Sequence, residues 1–262
     1  MKNVRPAPTQ ISLRGLSSHS MDVDWTNLAY IEGFGFRLDE CLLVLKQSPR
    51  LVHCNFEDVG YRVSTGQRDE VHIVHKSVRW LWLDDRSNMA NFFDVVSLPS
   101  LVYLAFAAEF QPSQALDSVT SFIRRSGCSL ETLRITNGDL QEAPIIPLLE
   151  ATPELYRLEL FAVKLSDTLF QHLGETVLDV YNGEVKAFLP DLDSIDLYGA
   201  LTIQLPGIAL SGLGSFHVIH YIDDANSAIF RELISEDGVD LSITDSSNRN
   251  LIKDLEMLER SD

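Results

Sequence analysis

One phrase recurs along the chain at a nearly constant interval, and it restricts the fold more than any other feature. It reads proline, one residue, leucine, two residues, an apolar residue, one residue, an apolar residue. Four copies carry the proline: Pro49 to Phe56, Pro99 to Phe106, Pro153 to Leu160 and Pro190 to Leu197. Two copies lack it, Val78 to Leu83 and Leu130 to Ile135, and a weaker copy runs from Leu28 to Gly33. The first apolar positions are 28, 51, 78, 101, 130, 155 and 192, so the spacings are 23, 27, 23, 29, 25 and 37 residues. A single leucine pattern of this kind arises by chance; a series at one period does not.

Each copy has a physical reading. Alternate residues of a short strand point to one side, which accounts for the last two apolar positions. Proline cannot continue a helix and disfavours α geometry before it, so it marks the return from helix to strand. Amphipathic runs lie between the strands. Leu38 to Leu45 and Leu116 to Ile123 have apolar residues three and four apart, and Asn88 to Val96, Pro144 to Glu150 and Leu165 to Leu173 read the same way. Tyr61 to Lys76 reads as an extended or short-turn connection, and the longest interval predicts an insertion at Gly174 to Lys186.

One strand with one helix cannot bury its own apolar face, so copies must stack. Most spacings match the period of roughly 20–29 residues of leucine-rich repeats. The predicted fold is an α/β leucine-rich-repeat solenoid, a ribonuclease-inhibitor-like horseshoe with a curved parallel sheet inside and helices outside. The repeats are degenerate. The asparagine that usually follows the strand is replaced by Val59, Glu109, Gly138, Val163 and Ala200, which predicts irregular curvature. The predicted organisation is a flexible tail over 1–10, the repeat domain over 11–245 and a capping helix over 246–262. That helix has Leu251, Ile252, Leu255 and Leu258 at helical spacing; binding a partner is its alternative role. A doubly wound α/β domain also alternates strands and helices. The two folds differ in strand order. A solenoid places the strand at 51–56 between those near 28–33 and 78–83, whereas a doubly wound sheet reverses at a switch point.

The charge excludes some partners. There are 38 acidic against 21 basic residues, a net charge of −17. Nucleic acid and anionic membranes both require clustered Lys and Arg, so neither is an expected partner. Cys41, Cys54 and Cys128 are too few and too scattered for a disulfide framework. The polar start of the chain carries no apolar leader segment. Together these predict an intracellular location, cytoplasmic or nuclear. Tyr198 to Ile222 lacks Asp, Glu, Lys and Arg, yet it contains Pro206 and several glycines, and Leu201, Ile203 and Leu205 alternate as in a strand. Buried strand and loop is the expectation there, not a membrane span.

Catalytic chemistry finds no foothold. His72 with His75, and His217 with His220, have a spacing that chelates metal only on a helix, and both pairs lie in strand-like stretches. Gly33-Phe34-Gly35 and Gly212-Leu213-Gly214 lack the third glycine of a nucleotide loop and read as turns. Asp84-Asp85 ends a strand, where a plain turn is the expected reading and a cation site the alternative. Cys41 and Cys54 fall on apolar faces, as core thiols do. No catalytic residue, metal or cofactor is expected, and the chain is not expected to be an enzyme.

The strand period makes a surface prediction instead. Counted from the first apolar position of each phrase, the third, fifth and seventh residues should face the concave side. The third row is Tyr30, His53, Trp80, Tyr103, Thr132, Arg157 and Ser194. The fifth is Glu32, Asn55, Trp82, Ala105, Arg134, Glu159 and Asp196. The seventh is Phe34, Glu57, Asp84, Ala107, Thr136, Phe161 and Tyr198. Tyr30, His53, Trp80, Trp82, Tyr103, Arg134, Arg157 and Phe161 are the candidate protein-binding residues, because exposed aromatics and arginines make up interaction hot spots. The alternative is that a helix, tail or loop covers them.

The stretches Asp24 to Leu28, Leu38 to Leu42 and Ser48 to Phe56, with Leu98 to Leu101 and Leu189 to Leu192, resemble the repeat region of fungal F-box proteins of the mushroom type. The resemblance covers roughly residues 10 to 240. It implies target recognition for a ubiquitin ligase, in which an F-box docks on Skp-type and cullin components and the repeats select a protein target. No stretch of this sequence reads as an F-box. A longer form carrying one is what would bring in the Skp-type and cullin partners. A repeat scaffold or regulatory binder without a ligase link is the alternative.

Overall fold

The proline phrases become turns. In the computed structural model Leu51, Leu101, Leu155 and Leu192 each donate their N–H to the carbonyl three residues back, at 3.0, 3.1, 3.1 and 3.2 Å. Pro49, Pro99, Pro153 and Pro190 take the second place of these turns, where the fixed φ of proline fits. The structure describes residues 5–60, 72–85, 89–107, 112–136, 140–141, 143–161, 163–164, 167–174, 176–178, 185–198, 215–219 and 240–244. The predicted capping helix over 246–262 and the repeat of alternating residues 201–205 lie outside the described residues.

The chain divides into two compact units, Met1–Leu130 and Glu131–Asp262. The first contains β1 (Gln10–Arg14), β2 (Tyr30–Phe34), α1 (Leu38–Gln47), β3 (His53–Val59), β4 (Ile73–Val74), β5 (Trp80–Asp85), α2 (Ala90–Val95), β6 (Val96–Ser97), β7 (Tyr103–Ala107) and α3 (Pro112–Ser126). Here β1, β2, β3, β5 and β7 form a parallel sheet in that order, and β4 pairs with β6 apart from it. So β3 lies between β2 and β5, with no reversal of strand order. The second unit contains β8 (Thr132–Thr136), β9 (Leu140–Gln141), α4 (Ile145–Glu150), β10 (Arg157–Phe161), β11 (Val163–Lys164), α5 (Asp167–Gly174), β12 (Thr176–Leu178), β13 (Val185–Ala187), β14 (Ser194–Tyr198), β15 (Ser215–Ile219) and β16 (Asp240–Thr244). Its parallel sheet runs β8, β10, β14, β15, β16, again in sequence order. The interval predicted to hold an insertion contains the antiparallel pair β12–β13.

The copies align phrase on phrase. Ile31, Cys54, Leu81 and Leu104 are register partners along the first sheet, and Leu133, Leu158 and Ile195 along the second. The backbone repeats the same device. In several copies the two residues after the first apolar position donate to one carbonyl of the copy before: Val52 and His53 to Ala29, Arg79 and Trp80 to Val52, Val102 and Tyr103 to Arg79. Tyr156 and Arg157 do so to Glu131, and Asp193 and Ser194 to Tyr156. Each strand end therefore starts in register because the preceding turn sets its donors.

The apolar positions of the phrase are the core. Leu51, Cys54, Phe56, Leu81, Leu83, Leu101 and Leu104 are 0% exposed. Each such side chain contributes about 1.5–3 kcal/mol on burial. Helix residues close over them: Phe93 of α2 lies 6.2 Å from Phe106 of β7 and 4.9 Å from Phe122 of α3. Helix ends are satisfied by neighbours. Arg125 of α3 donates to the Phe93 carbonyl and, at 2.9 Å, to that of Val96, which serves the last carbonyls of α2.

Two departures from the sequence reading have clear causes. The first is β1, which has no leucine phrase. Only Ile11 and Leu13 alternate, and both are buried while their neighbours are exposed. Within the stretch predicted as a tail over 1–10, Gln10 begins β1. Thr9 accepts from Ala29 and Tyr30, and Pro6 from Asp24, because the edge of β2 needs backbone partners. The second is a bulge in β3. The register shifts between Phe56 and Val59, with Asp58 at φ 52°. Aspartate tolerates that left-handed geometry, and the extra residue turns Val59 into the core.

Gly33 explains the weak first copy. It stands where Phe56 and Leu83 stand in the next copies, and a Cβ there would meet the buried Phe36 ring at 2.8 Å. Phe36 reaches back to fill the layer, 6.0 Å from Phe56. Gly33→Ala is expected to cost about 1–3 kcal/mol, as overpacking does in a dense core. Urea unfolding at neutral pH checks this, and an unchanged midpoint would mean that Phe36 moves freely.

Candidate functional site

The third, fifth and seventh residues of each phrase share the other face of the sheets. In the first unit that face is partly open. Trp80 and Trp82 are half-buried, whereas Leu81 and Leu83 between and beside them are fully enclosed. The opposite orientation follows from the period of two and nothing else.

In-register stacking converts the third row into a column of rings. Tyr30 stacks on His53 at 4.4 Å and 17°, His53 on Trp80 at 3.8 Å and 8°, and Trp80 on Tyr103 at 4.6 Å and 7°. Neighbouring parallel strands are spaced about 4.8 Å apart, close to a stacking distance, so one aromatic per repeat is enough to build the column. The rings cover each other's faces and turn their edges outward. Burial keeps the His53 imidazole below its usual pKa, with the Glu32 charge opposing.

The same face carries carboxylates beside the column. The Tyr30 phenol donates to Glu32, and Asn55 Nδ2 donates to Glu57 Oε1 at 2.9 Å. The bond from Tyr30, followed by one from Ser12, holds Glu32 below the ordinary carboxylate range. Conversely, that bond, burial and the charges of Glu32 and Glu57 raise the Tyr30 pKa. These acids and their pocket were not singled out in the sequence; the strand β1 that frames them carries no leucine phrase.

In the second unit the rows are largely filled from within. Glu159 and Asp196 are 9% and 1% exposed, and Ser194 is buried beside them. Arg134 pairs with Glu159 at 3.3 Å, and Arg157 pairs with Glu159 at 2.9 Å and with Asp196. Arg134 also lies 4.3 Å over the Phe161 ring, which stacks on Tyr198 at 3.8 Å. Burial, then the charges of Asp196 and Glu159, raise the Tyr198 pKa. Arg134 and Arg157, expected to face a partner, thus neutralise buried carboxylates of their own sheet, and Phe161, expected to do the same, packs between Arg134 and Tyr198. A lone buried carboxylate is costly, and this network removes that cost. The structure brings Tyr30, His53, Trp80 and Tyr103 together, sets Trp82 in the adjacent row, and gathers the other three into a separate cluster.

The other flagged residues have structural partners. His75 is buried, with Nε2 2.8 Å from the Ser48 carbonyl, and His72 Nε2 is 2.9 Å from Ser97 Oγ. Cys41 and Cys54 are buried, and burial pushes the Cys54 thiol far up. Gly35 turns the chain after β2 at φ 74°, as expected of Gly33-Phe34-Gly35; Gly212 to Gly214 lie outside the described residues. Among the described residues no helix is long and apolar enough to cross a membrane, and no group of three or more potential metal-ligating side chains occurs. No protein-family model, curated protein or solved structure matches the chain.

Proposed function

We propose that the chain is a degenerate leucine-rich-repeat solenoid that binds a protein target without catalysis, and that it is related to the target-recognition arms of F-box ubiquitin ligases. The sequential, in-register parallel pairing in each unit supports the solenoid. The observation that carries the binding reading is the half-exposed column Tyr30, His53, Trp80, Tyr103 with Trp82 beside it. Stacked rings lose little side-chain entropy on binding, because they are already fixed, and aromatic surface is strongly represented in hot spots. The ligase link rests on the resemblance of the repeat style alone.

The test is capture by the immobilised chain of proteins from its own source, repeated with Trp82→Ala and with purified Skp-type adaptor and cullin added. One target retained by the wild type and lost by Trp82→Ala, with the variant still folded under the capture conditions, is the expected outcome. Adaptor or cullin in the captured complex supports the ligase link. A captured target with neither leaves a repeat binder of the second kind. A target that Trp82→Ala holds as well as wild type places the binding surface elsewhere and overturns this reading of the sheet face.

A further inference from the structure

We infer that the sheet face of the first unit accepts a basic side chain of its protein partner, arginine in preference to lysine, between Glu32 and Glu57. The inference rests on the protein-binding reading above and names the chemistry of the partner.

A pocket of about 140 Å³ opens where the fifth and seventh rows cross β1, β2 and β3. Ser12, Glu32 and Asn55 form one of its rows, and Arg14, Phe34 and Glu57 the next. Glu32 and Glu57 stand on adjacent strands, offset by two residues. Strand spacing and rise put their Cα atoms roughly 8 Å apart, so a planar cation between them is reached from both sides.

The pocket is rich in acceptors. An ionised carboxylate offers about four acceptor sites. Glu32 receives the Tyr30 phenol and Ser12, and Glu57 receives Asn55 Nδ2. Both keep acceptor capacity toward the pocket. Asn55 Oδ1 is enclosed and has no hydrogen-bond partner among the described residues.

The lining is net negative. Two carboxylates face one guanidinium, Arg14, which lies 5.2 Å over the Phe34 ring. An acidic peptide or a phosphate would meet Glu32 and Glu57 at once. The net charge of −17 adds long-range attraction for basic partners. Arginine fits better than lysine because its rigid fork of five donors can serve both carboxylates together. Its methylenes would lie on Phe34, which is 37% exposed.

The test is fluorescence anisotropy of the full chain at physiological salt with three labelled peptides: Gly-Gly-Arg-Leu-Gly-Gly, and the same peptide with citrulline or lysine in place of arginine. Citrulline keeps the shape and removes the charge. The wild type is expected to bind the arginine peptide about tenfold tighter than the citrulline peptide, with lysine between, as loss of a charge-assisted pair implies. Glu32→Gln with Glu57→Gln should bring arginine to within about twofold of citrulline. Glu57→Gln alone, which keeps the Tyr30–Glu32 bond, should remove part of the preference and guards against a folding defect in the double variant. Glu131→Gln with Glu154→Gln changes net charge equally at exposed sites and should leave the preference intact. Equal binding of arginine and citrulline, or equal loss in both double variants, overturns the proposal. The two readings fail separately. A target lost by Trp82→Ala with no arginine preference removes the pocket and keeps protein binding. Arginine preference together with a target indifferent to Trp82→Ala keeps the pocket and moves the larger interface.

Discussion

Glu40→Ala is expected to destabilise the first unit by about 3–5 kcal/mol, as the loss of several charge-assisted hydrogen bonds implies. Glu40 is the third residue of α1 and is 3% exposed. Its Oε2 accepts the Arg37 N–H at 2.9 Å, which caps the helix start. Its Oε1 accepts the Ser18 N–H at 3.0 Å and the Ser17 hydroxyl, and His19 Nδ1 lies 3.5 Å away. One carboxylate therefore ties the turn at Ser17–Ser20 to α1. Three full charged bonds would exceed the stated range, but water reaches Ser17 and Arg37 and replaces part of what is lost.

The same carboxylate sets an acid limit. Burial raises its pKa, but the bonds from Ser17, Arg37, His19 and Ser18 outweigh burial and hold it below 4.5. The folded chain then binds fewer protons than the unfolded chain. Its contribution is complete above pH 4.5 and is lost as pH falls through the depressed folded value. Urea unfolding at neutral pH and near pH 4 should show Glu40→Ala and wild type converging on acidification. Hydrogen exchange should show faster exchange at Ser18 in the variant at neutral pH. Parallel loss in both proteins would mean that Glu40 does not set the acid limit.

Trp80→Ala should cost about 2–4 kcal/mol, because Trp80 is the middle of the ring column. It touches His53 on one face and Tyr103 on the other. Each stacked pair contributes about 0.5–1.5 kcal/mol beyond its buried area. Since the ring is half-buried, the total stays below that for a fully enclosed tryptophan. Trp82 stands in the next row, with Asn55 and Ala105 as register partners, so Trp82→Ala should cost less than Trp80→Ala. Near-UV circular dichroism should lose intensity more with Trp80→Ala, and Trp80→Phe should restore most of the stability. Equal midpoints for the two alanine variants would mean that the column contributes nothing to folding. The asymmetry matters for function: changing both tryptophans at once mixes a folding effect with a binding effect, so Trp82 is the residue to vary in a capture experiment.

The sequence determined the periodic part of this protein. Pro49, Pro99, Pro153 and Pro190 marked the turns, and Leu51, Leu101, Leu155 and Leu192 followed as core residues. Helices appeared where three- and four-residue spacing placed them, at Leu38–Gln47 and Pro112–Ser126 among others. The alternation in Trp80 to Leu83 fixed which residues face the helices and which do not. These signals are local: a turn, a strand of five residues and an amphipathic run are each written within one copy.

Tertiary structure decided what happens between copies. Glu40 meets Ser17 across 23 residues, and Arg157 meets Asp196 across 39. Neither pair has a signature at its own position, since an exposed acid and a buried, bonded acid look the same in a sequence. Gly33 read as part of a turn, and only the packing shows Phe36 filling the place of the side chain it lacks. The period alone placed Arg134, Arg157 and Phe161 on the sheet face, and register then set two buried carboxylates beside the arginines. Periodicity gives the direction of a side chain, but whether it meets solvent or another charge depends on which residue the neighbouring strand brings alongside, and that is fixed only when the copies pack.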